Sequence, residues 1–154
     1  MQYDLDRAAA AALIDTFVAG WNAADGARLA SAFAQDADFT AVNGLRVRGR
    51  SLIGEGHDEL FRTIFRDVTI ASQVLSVRSL TRDVVAVEAE LSYPTRDILP
   101  GVTRGLAQYV ATRSPAPSGD RWEIVIFRNM IPFERPVAGP VERRVREEMA
   151  DGAR

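Results

Sequence analysis

The chain contains no cysteine, which excludes disulfides, thiolate metal sites and cysteine nucleophiles. It also contains no lysine. All 19 basic residues are arginines, so covalent chemistry through a side-chain amine is excluded. The single histidine, His57, leaves only carboxylates to complete a metal site, and we expect no metal. Because no glycine-rich dinucleotide fingerprint is present either, we expect no cofactor.

The chain also lacks a dominant charge and long apolar runs. Its formal net charge is −2, and the arginines are spread along the sequence rather than clustered, so we expect no nucleic-acid partner. No run approaches the roughly 20 apolar residues that span a bilayer, and the first residues do not resemble a secretion signal. We therefore expect no membrane association and a cytoplasmic location. A length of 154 residues with 47% hydrophobic residues predicts one globular domain.

Three helices are predicted in the first part of the chain. In residues 5–24 the apolar side chains recur at spacings of three and four, as in a helix with one apolar stripe. Asp25 is the predicted N-cap of a shorter second helix, whose buried face would include Phe33. Ser51 is predicted to cap a third helix, which carries His57 and Phe61 on its apolar face.

The rest of the chain has the period-two pattern of strands. Asn43 and Gly44 are typical of a tight turn and predict a short hairpin between residues 39–42 and 45–48. Four long strands then follow, at residues 68–80, 84–93, 102–112 and 122–131. The predicted fold is α+β: a curved antiparallel sheet of four long strands plus a short hairpin, covered by the three N-terminal helices.

Both faces of the last predicted strand are apolar, which is typical of a sheet covered on both sides. The helices would cover one face, and a partner subunit the other, so we expect a homodimer through the convex face. We assign residues 1–133 to this domain. Residues 134–154 combine proline, glycine and alternating charge, which predicts either a frayed tail or a short solvated helix.

Three segments carry a family resemblance: FVAGWNAADGARLASAFAQDADFTAV, NGLRVRGRSLIGEGHDELF and RWEIVIFRNM. Through them, residues 5–133 resemble the nuclear transport factor 2-like superfamily, the cone fold of ketosteroid isomerases and SnoaL-like polyketide cyclases. Within the superfamily the chain is most similar to the SgcJ/EcaC-like proteins of enediyne antibiotic gene clusters. The resemblance implies an open-mouthed cone whose cavity binds a small apolar or polyketide ligand, in a homodimer formed by convex faces.

The resemblance does not extend to the catalytic residues of the ketosteroid isomerases. Ala41 stands where those enzymes have a carboxylate base, and Phe17 where they have an oxyanion-binding phenol. Gln108 replaces their neutral carboxylic acid, although its amide can still donate a hydrogen bond. We therefore do not expect ketosteroid isomerisation.

The same alignment selects the candidate site residues. It places His57, Gln108 and Asn129 in the cavity as the polar, candidate catalytic groups. A few polar groups in an apolar pocket are the usual composition of a ligand site. The predicted ligand-binding residues are Phe17, Phe39, Phe61, Tyr93 and Phe127.

Two functional hypotheses follow. The first is an enzyme or ligand-handling protein of enediyne-type polyketide biosynthesis, in which His57 is the acid/base for cyclisation, isomerisation or hydration. The alternative is a non-catalytic binding or dimerisation module, in which His57 is a hydrogen-bonded core residue. The site depends on strand register, because a slip of one residue would turn Gln108 and Asn129 outward and bring Tyr109 and Arg128 inward.

Overall fold

A computed structural model describes residues 2–133 and 139–152 of the chain. The helices are α1 (Gln2–Ala11), α2 (Leu13–Asn22), α3 (Gly26–Ala30), α4 (Arg50–Arg62) and α5 (Pro140–Gly152). The strands are β1 (Phe33–Thr40), β2 (Arg46–Arg48), β3 (Ala71–Thr81), β4 (Val84–Ser92), β5 (Arg104–Ser114) and β6 (Arg121–Met130).

The N-terminal helices differ in part from the prediction. The helix predicted over residues 5–24 is two helices, α1 and α2, which meet at Ala12. Asp25 is confirmed as the N-cap of α3, since its Oδ1 accepts a hydrogen bond of 2.9 Å from the backbone N–H of Arg28. However, α3 ends at Ala30, and Phe33 begins β1 instead of belonging to the helix.

The third predicted helix corresponds to α4, but its cap is different. The N-cap is Gly49, and its φ of +97° is a conformation that glycine adopts without strain. The backbone N–H of Gly49 donates to the carbonyl of Ala37 on β1 over 2.8 Å. The prediction of Ser51 as the cap is wrong, because this bond already turns the chain into the helix two residues earlier.

The sheet is mixed and has six strands, in the order β2-β1-β6-β5-β4-β3. The hairpin of β1 and β2 is confirmed, but β1 also pairs in parallel with β6. The prediction of a separate hairpin beside a four-stranded antiparallel sheet is therefore wrong. Phe33 and Phe39 explain the extra pairing, because both are buried and continue the apolar inner face of β6.

A bulge in β6 determines which side chains face inward. Val110 of β5 pairs with Ile126, whereas the next residue, Ala111, pairs with Ile124, so Val125 has no partner. Inward-facing residues therefore shift from Trp122 and Ile124 before the bulge to Phe127 and Asn129 after it. Without the bulge, strict alternation from Ile124 would turn Phe127 outward.

The helices cover the concave face of the sheet and are tied to it by polar contacts. The Tyr109 hydroxyl lies 2.9 Å from the carbonyl oxygens of both Ala10 and Ala11, at the end of α1. The Trp21 indole N–H donates to the carbonyl of Val68 over 2.8 Å. These contacts of Tyr109 and Trp21 join the N-terminal helices to later segments, so they fix the helical layer above the sheet.

The C-terminal helix α5 buries none of its residues. A short solvated helix, one of the two alternatives predicted for the tail, is thus present at Pro140–Gly152. Residues 134–138 and 153–154 of the predicted tail lie outside the described residues, and the domain boundary at residue 133 stays a prediction. Within residues 2–133 and 139–152, no helix has the length and apolar character needed to cross a bilayer.

We predict that Gly20→Ala destabilises the fold by about 1–3 kcal/mol, the usual cost of overpacking. A Cβ at Gly20 would lie 2.2 Å from the backbone nitrogen of Leu29, so α2 and α3 would have to move apart. The measurement is the free energy of unfolding in urea.

The control is Gly56→Ala on α4, where a Cβ would meet nothing within 4 Å. Alanine has the higher helix propensity, so this variant should gain about 0.5–1 kcal/mol. Equal stability changes in the two variants would contradict the close approach of α2 and α3.

Candidate functional site

A cavity of about 230 Å³ opens between the helices and the concave face of the sheet. Its walls come from α2, α4, β1, β4 and β6, and its mouth from the loops that follow β1, α4 and β4. None of the described residues that line it has a side chain charged at neutral pH. The walls are mostly aromatic and aliphatic, which is the usual composition of a small-molecule site.

His57 lies at the inner end of the cavity, where its side chain is only 5% exposed. The imidazole meets three aromatic rings nearly edge-to-face, with centroid separations of 5.2 Å to Phe39, 5.8 Å to Phe17 and 5.9 Å to Trp21. These rings come from β1 and α2, so the position of the imidazole depends on tertiary packing as well as on α4.

The hydrogen bond of His57 determines its tautomer. Nδ1 lies 2.7 Å from the carbonyl oxygen of Ile53, one turn earlier in α4. A carbonyl can only accept, so Nδ1 carries the proton and Nε2 has a free lone pair. Nε2 has no hydrogen-bond partner among the described residues. Every fully buried side-chain nitrogen or oxygen among them does have a partner, so Nε2 is not fully buried. Nε2 is therefore accessible from the cavity.

Burial lowers the pKa of His57 below its ordinary value, because it disfavours the charged imidazolium. The bond to Ile53 and the nearby charge of Asp58 oppose this effect but do not reverse it. At neutral pH the side chain is therefore a neutral imidazole with one accessible acceptor, the form required of a general base.

Tyr93 and Asn129 add two polar groups to the cavity wall. Burial raises the pKa of Tyr93 to about 12, so its hydroxyl remains protonated and can donate. Neither side chain has a hydrogen-bond partner among the described residues. The Tyr93 hydroxyl lies close to Gly105, since a Cβ added to that glycine would be 3.0 Å from the hydroxyl oxygen. The cavity thus combines an acceptor, a hydroxyl donor and an amide.

The predicted ligand-binding residues fall into two groups. Phe17, Phe39 and Tyr93 line the cavity. Phe61 and Phe127 lie behind the lining: Phe61 packs on Trp21 at 5.4 Å, and Phe127 is fully buried. These two support the walls of the cavity and do not border its space.

Gln108 does not face the cavity. It is exposed on the outer face of the sheet, where it pairs with Glu88 on one side and Arg128 on the other. The prediction of Gln108 as a cavity residue is wrong, because Tyr109 is the inward-facing residue at this point of β5. Asn129 does line the cavity, so the predicted orientation fails at Gln108 on β5 and holds at Asn129 on β6.

The sequence reasoning missed the residues of the mouth. Leu45, Ile64 and Leu99 line the cavity and are also 60%, 60% and 47% exposed, and we call these three residues the rim. They come from three different loops, so no periodic pattern connects them. Leu99 lies in a predicted loop, whereas Leu45 was predicted to begin the second segment of the hairpin and Ile64 to lie on the apolar face of the third helix, so these patterns did not mark them as a group.

The acidic residues in the described parts of the chain lie outside the cavity lining. Within the described parts of the chain, no three His, Cys, Asp or Glu side chains lie together in a way that could hold a metal ion. Glu88 and Glu90, two residues apart on β4, lie on the outer face, and Glu90 forms an ion pair of 3.2 Å with Arg104. The polar side chains that line the cavity are those of His57, Tyr93, Asn129 and Asn43, and Asn43 Oδ1 already accepts a hydrogen bond from the backbone N–H of Leu45.

Solved structures with the same arrangement of helices and strands are known. A domain of unknown function with a cystatin-like fold from Nostoc punctiforme is 21% identical, with a TM-score of 0.74 and 96% of each chain covered. A ketosteroid isomerase-like protein from Erwinia carotovora atroseptica is 15% identical, with a TM-score of 0.61 over 84% of this chain and 98% of that one.

A candidate scytalone dehydratase from Novosphingobium aromaticivorans is 14% identical, with a TM-score of 0.62, covering 91% of this chain and 96% of that one. A further similar structure, from the same species, is described as nuclear transport factor 2-like. The chain has the nuclear transport factor 2-like cone fold. At these identities the likeness shows the cone fold alone. The chain matches no protein-family model, and no curated protein is significantly similar to it in sequence.

We predict that the fold loses stability as the pH falls below about 6.5, the pKa of an unfolded histidine. The folded pKa of His57 is lower, so below 6.5 the unfolded chain binds the proton first and is favoured. The stability that comes from burying His57 in its neutral form is fully present above pH 6.5. The measurement is the urea midpoint at pH 7.5 and at pH 5.5.

The comparison variant is His57→Gln, which removes this titration. Its urea midpoint should change less between the two pH values than that of the wild type. The same pH dependence in both proteins would contradict a lowered pKa for His57. An NMR titration of the imidazole carbons in the native protein gives a second, direct reading of that pKa.

Proposed function

We propose that this protein binds a small, largely apolar molecule in the cone and that His57 acts as a general base on it. The observation that carries the proposal is the accessible Nε2 of a neutral imidazole at the inner end of an uncharged cavity. The reaction class is a cofactor-independent proton transfer, as in isomerisation, cyclisation or dehydration.

The positions of Tyr93 and Asn129 support this chemistry. A proton removed by His57 leaves negative charge on the substrate, and a hydroxyl or amide donor stabilises such charge best in a site that excludes water. The raised pKa of Tyr93, about 12, keeps its proton available for this purpose. We assign Tyr93 and Asn129 to the stabilisation of that charge, with Phe17 and Phe39 in contact with the apolar part of the substrate.

The substrate class that we propose is a polyketide, of the enediyne type. It rests on the resemblance of the three sequence segments described above, and the mostly aromatic and aliphatic lining is compatible with a polyene chain. Among the proteins with a similar fold, one is described as ketosteroid isomerase-like and one as a candidate scytalone dehydratase. Both descriptions concern reactions of small organic molecules.

A non-catalytic binding module is the second candidate function. It is favoured by one observation: no carboxylate lines the cavity among the described residues, so His57 has no acidic group there to orient it or to take over its proton. Among the described residues, the only hydrogen-bond partner of His57 is the backbone carbonyl of Ile53 in its own helix.

We predict that the protein accelerates the base-induced ring opening of 5-nitrobenzisoxazole, a neutral, planar carbon acid. In this reaction the base takes the C–H proton as the N–O bond breaks, which gives a cyanophenolate that absorbs visible light. His57→Gln should lower kcat/KM by about 100-fold or more, the usual contribution of a general base. The rate should rise with pH and level off near the lowered pKa of His57.

The matched control is Glu59→Gln, an exposed residue of the same helix, which should keep the wild-type rate. Binding of the probe is measured separately, from the quenching of tryptophan fluorescence, because Trp21 lines the cavity. If His57→Gln binds the probe and reacts as fast as the wild type, the non-catalytic module is the better description.

The proposal includes a homodimer through the outer face of the sheet. Two cross-strand apolar pairs lie on this face, Leu106 with Met130 and Val110 with Ile126. Ile126 and Met130 are 37% and 42% exposed, as a binding surface requires. Between the two pairs lies the polar pair of Gln108 and Arg128.

We predict that Ile126→Glu converts a dimer into a monomer, since a carboxylate there would be buried against the partner without compensation. Sedimentation velocity measures the oligomeric state. The control is Leu52→Glu on α4, a more exposed aliphatic residue, at 56%, that belongs to neither of the two cross-strand pairs. A wild-type protein that sediments as a monomer would remove the dimer from the proposal.

A further inference from the structure

Arg96 does not line the cavity, but it binds the backbone of the loop that carries the rim residue Ile64. Its Nη2 donates to the carbonyl oxygen of Ile64 over 2.8 Å and to that of Arg66 over 3.3 Å. Ile64 belongs to the rim, and Leu99, another rim residue, follows Arg96 by three positions. The guanidinium group therefore bridges two of the three loops that form the mouth.

Arg66 brings a second guanidinium group to the same turn. Its Nη2 donates to the carbonyl oxygen of Arg62, the last residue of α4, over 3.1 Å. Both Arg66 and Arg96 are exposed, and neither forms an ion pair with an acidic side chain in the described parts of the chain. Each has two further guanidinium nitrogens, Nε and Nη1, without a described partner.

We propose that Arg66 and Arg96 bind an anionic group, a carboxylate or a phosphate monoester, carried by an amphipathic ligand whose apolar part fills the cavity. This inference rests on the proposed function and specifies its substrate class. Guanidinium groups suit both anions, since each presents several N–H donors in one plane. The ligand would place its anion at the mouth and its reacting part beside His57.

The polarity of the cavity supports this orientation. An anion inside would lose its hydration among uncharged walls without gaining a counter-charge, which is strongly unfavourable. At the mouth it keeps part of its hydration and meets two cations. His57, Leu60 and Ile64 all line the cavity, so it follows α4 toward Arg62, about 7.5 Å along the helix axis from His57, and Arg66 binds the carbonyl of Arg62.

Arginines at the end of a helix also have a structural explanation. The carbonyl end of α4 attracts cations, and the hydrogen bonds satisfy the carbonyl of Arg62 at the end of α4 and those of Ile64 and Arg66 in the turn that follows. This role uses a single nitrogen of each guanidinium and requires no ligand. The two roles differ in one measurable respect, since only anion binding makes affinity depend on the charge of the ligand.

The experiment compares three ligands that share an eight-carbon alkyl chain and differ in the headgroup: 1-octanol, octanoate and octyl phosphate. Dissociation constants are measured by isothermal titration calorimetry at low and at high salt, for the wild type and for Arg96→Gln and Arg66→Gln. We expect at least one anionic ligand to bind the wild type about tenfold more tightly than 1-octanol at low salt. The stronger of the two anions identifies the headgroup.

Arg96→Gln should remove this advantage and leave the affinity for 1-octanol unchanged, with a smaller loss in Arg66→Gln. The control is Arg82→Gln, an exposed arginine between β3 and β4, which should behave as the wild type. Thermal unfolding of each variant checks that the loop stays folded. A variant that loses both kinds of ligand equally has lost only a structural contact, and this result would overturn the proposal.

The outcomes separate this inference from the function on which it rests. If 1-octanol binds and the anions gain nothing, the arginines are structural and the apolar cavity still stands as a ligand site. If no ligand of the series binds, the cavity function fails, and the anion site fails with it.

Discussion

The aromatic cluster around Phe127 holds the layers of this protein together. Phe127 stacks on Phe17 of α2 at 5.0 Å, on Phe39 of β1 at 5.2 Å and on Tyr109 of β5 at 6.0 Å. One ring thus joins the helical layer, the parallel strand and the centre of the sheet, and it forms the support beneath the cavity. The bulge at Val125 is the condition for this arrangement, because it turns Phe127 inward.

The chemistry of the cavity follows from the same packing. The rings that contact Phe127, those of Phe17 and Phe39, also surround His57 and keep water from it. Exclusion of water lowers the pKa of the imidazole, and the bond to Ile53 leaves Nε2 as its free acceptor. With this neutral base inside the cavity and, as we propose, Arg66 and Arg96 outside it, an amphipathic ligand would bind with its apolar part inward.

Local sequence patterns predicted the elements of the fold better than their pairing. Period-two segments located the four long strands, and Asp25 and Gly44 marked a helix cap and a turn. The parallel pairing of β1 with β6 was missed, since a short apolar strand carries no sign of its neighbour. The family resemblance implied that His57, Asn129 and Gln108 face the cavity; His57 and Asn129 line it, but Gln108 does not, because a shift of one residue on a strand reverses the side chain.

The sequence by itself determined that the chemistry has to come from very few groups, since it offers one histidine, no cysteine and no lysine. It also determined that α4 presents His57 on an apolar face, because helical periodicity is a local property. Only the tertiary structure decided that Nε2 of His57 borders a cavity, which residues form the rim, and that Arg96 binds the loop that carries Ile64. Those features depend on contacts between segments that are far apart in the chain, and a local sequence pattern does not show such contacts.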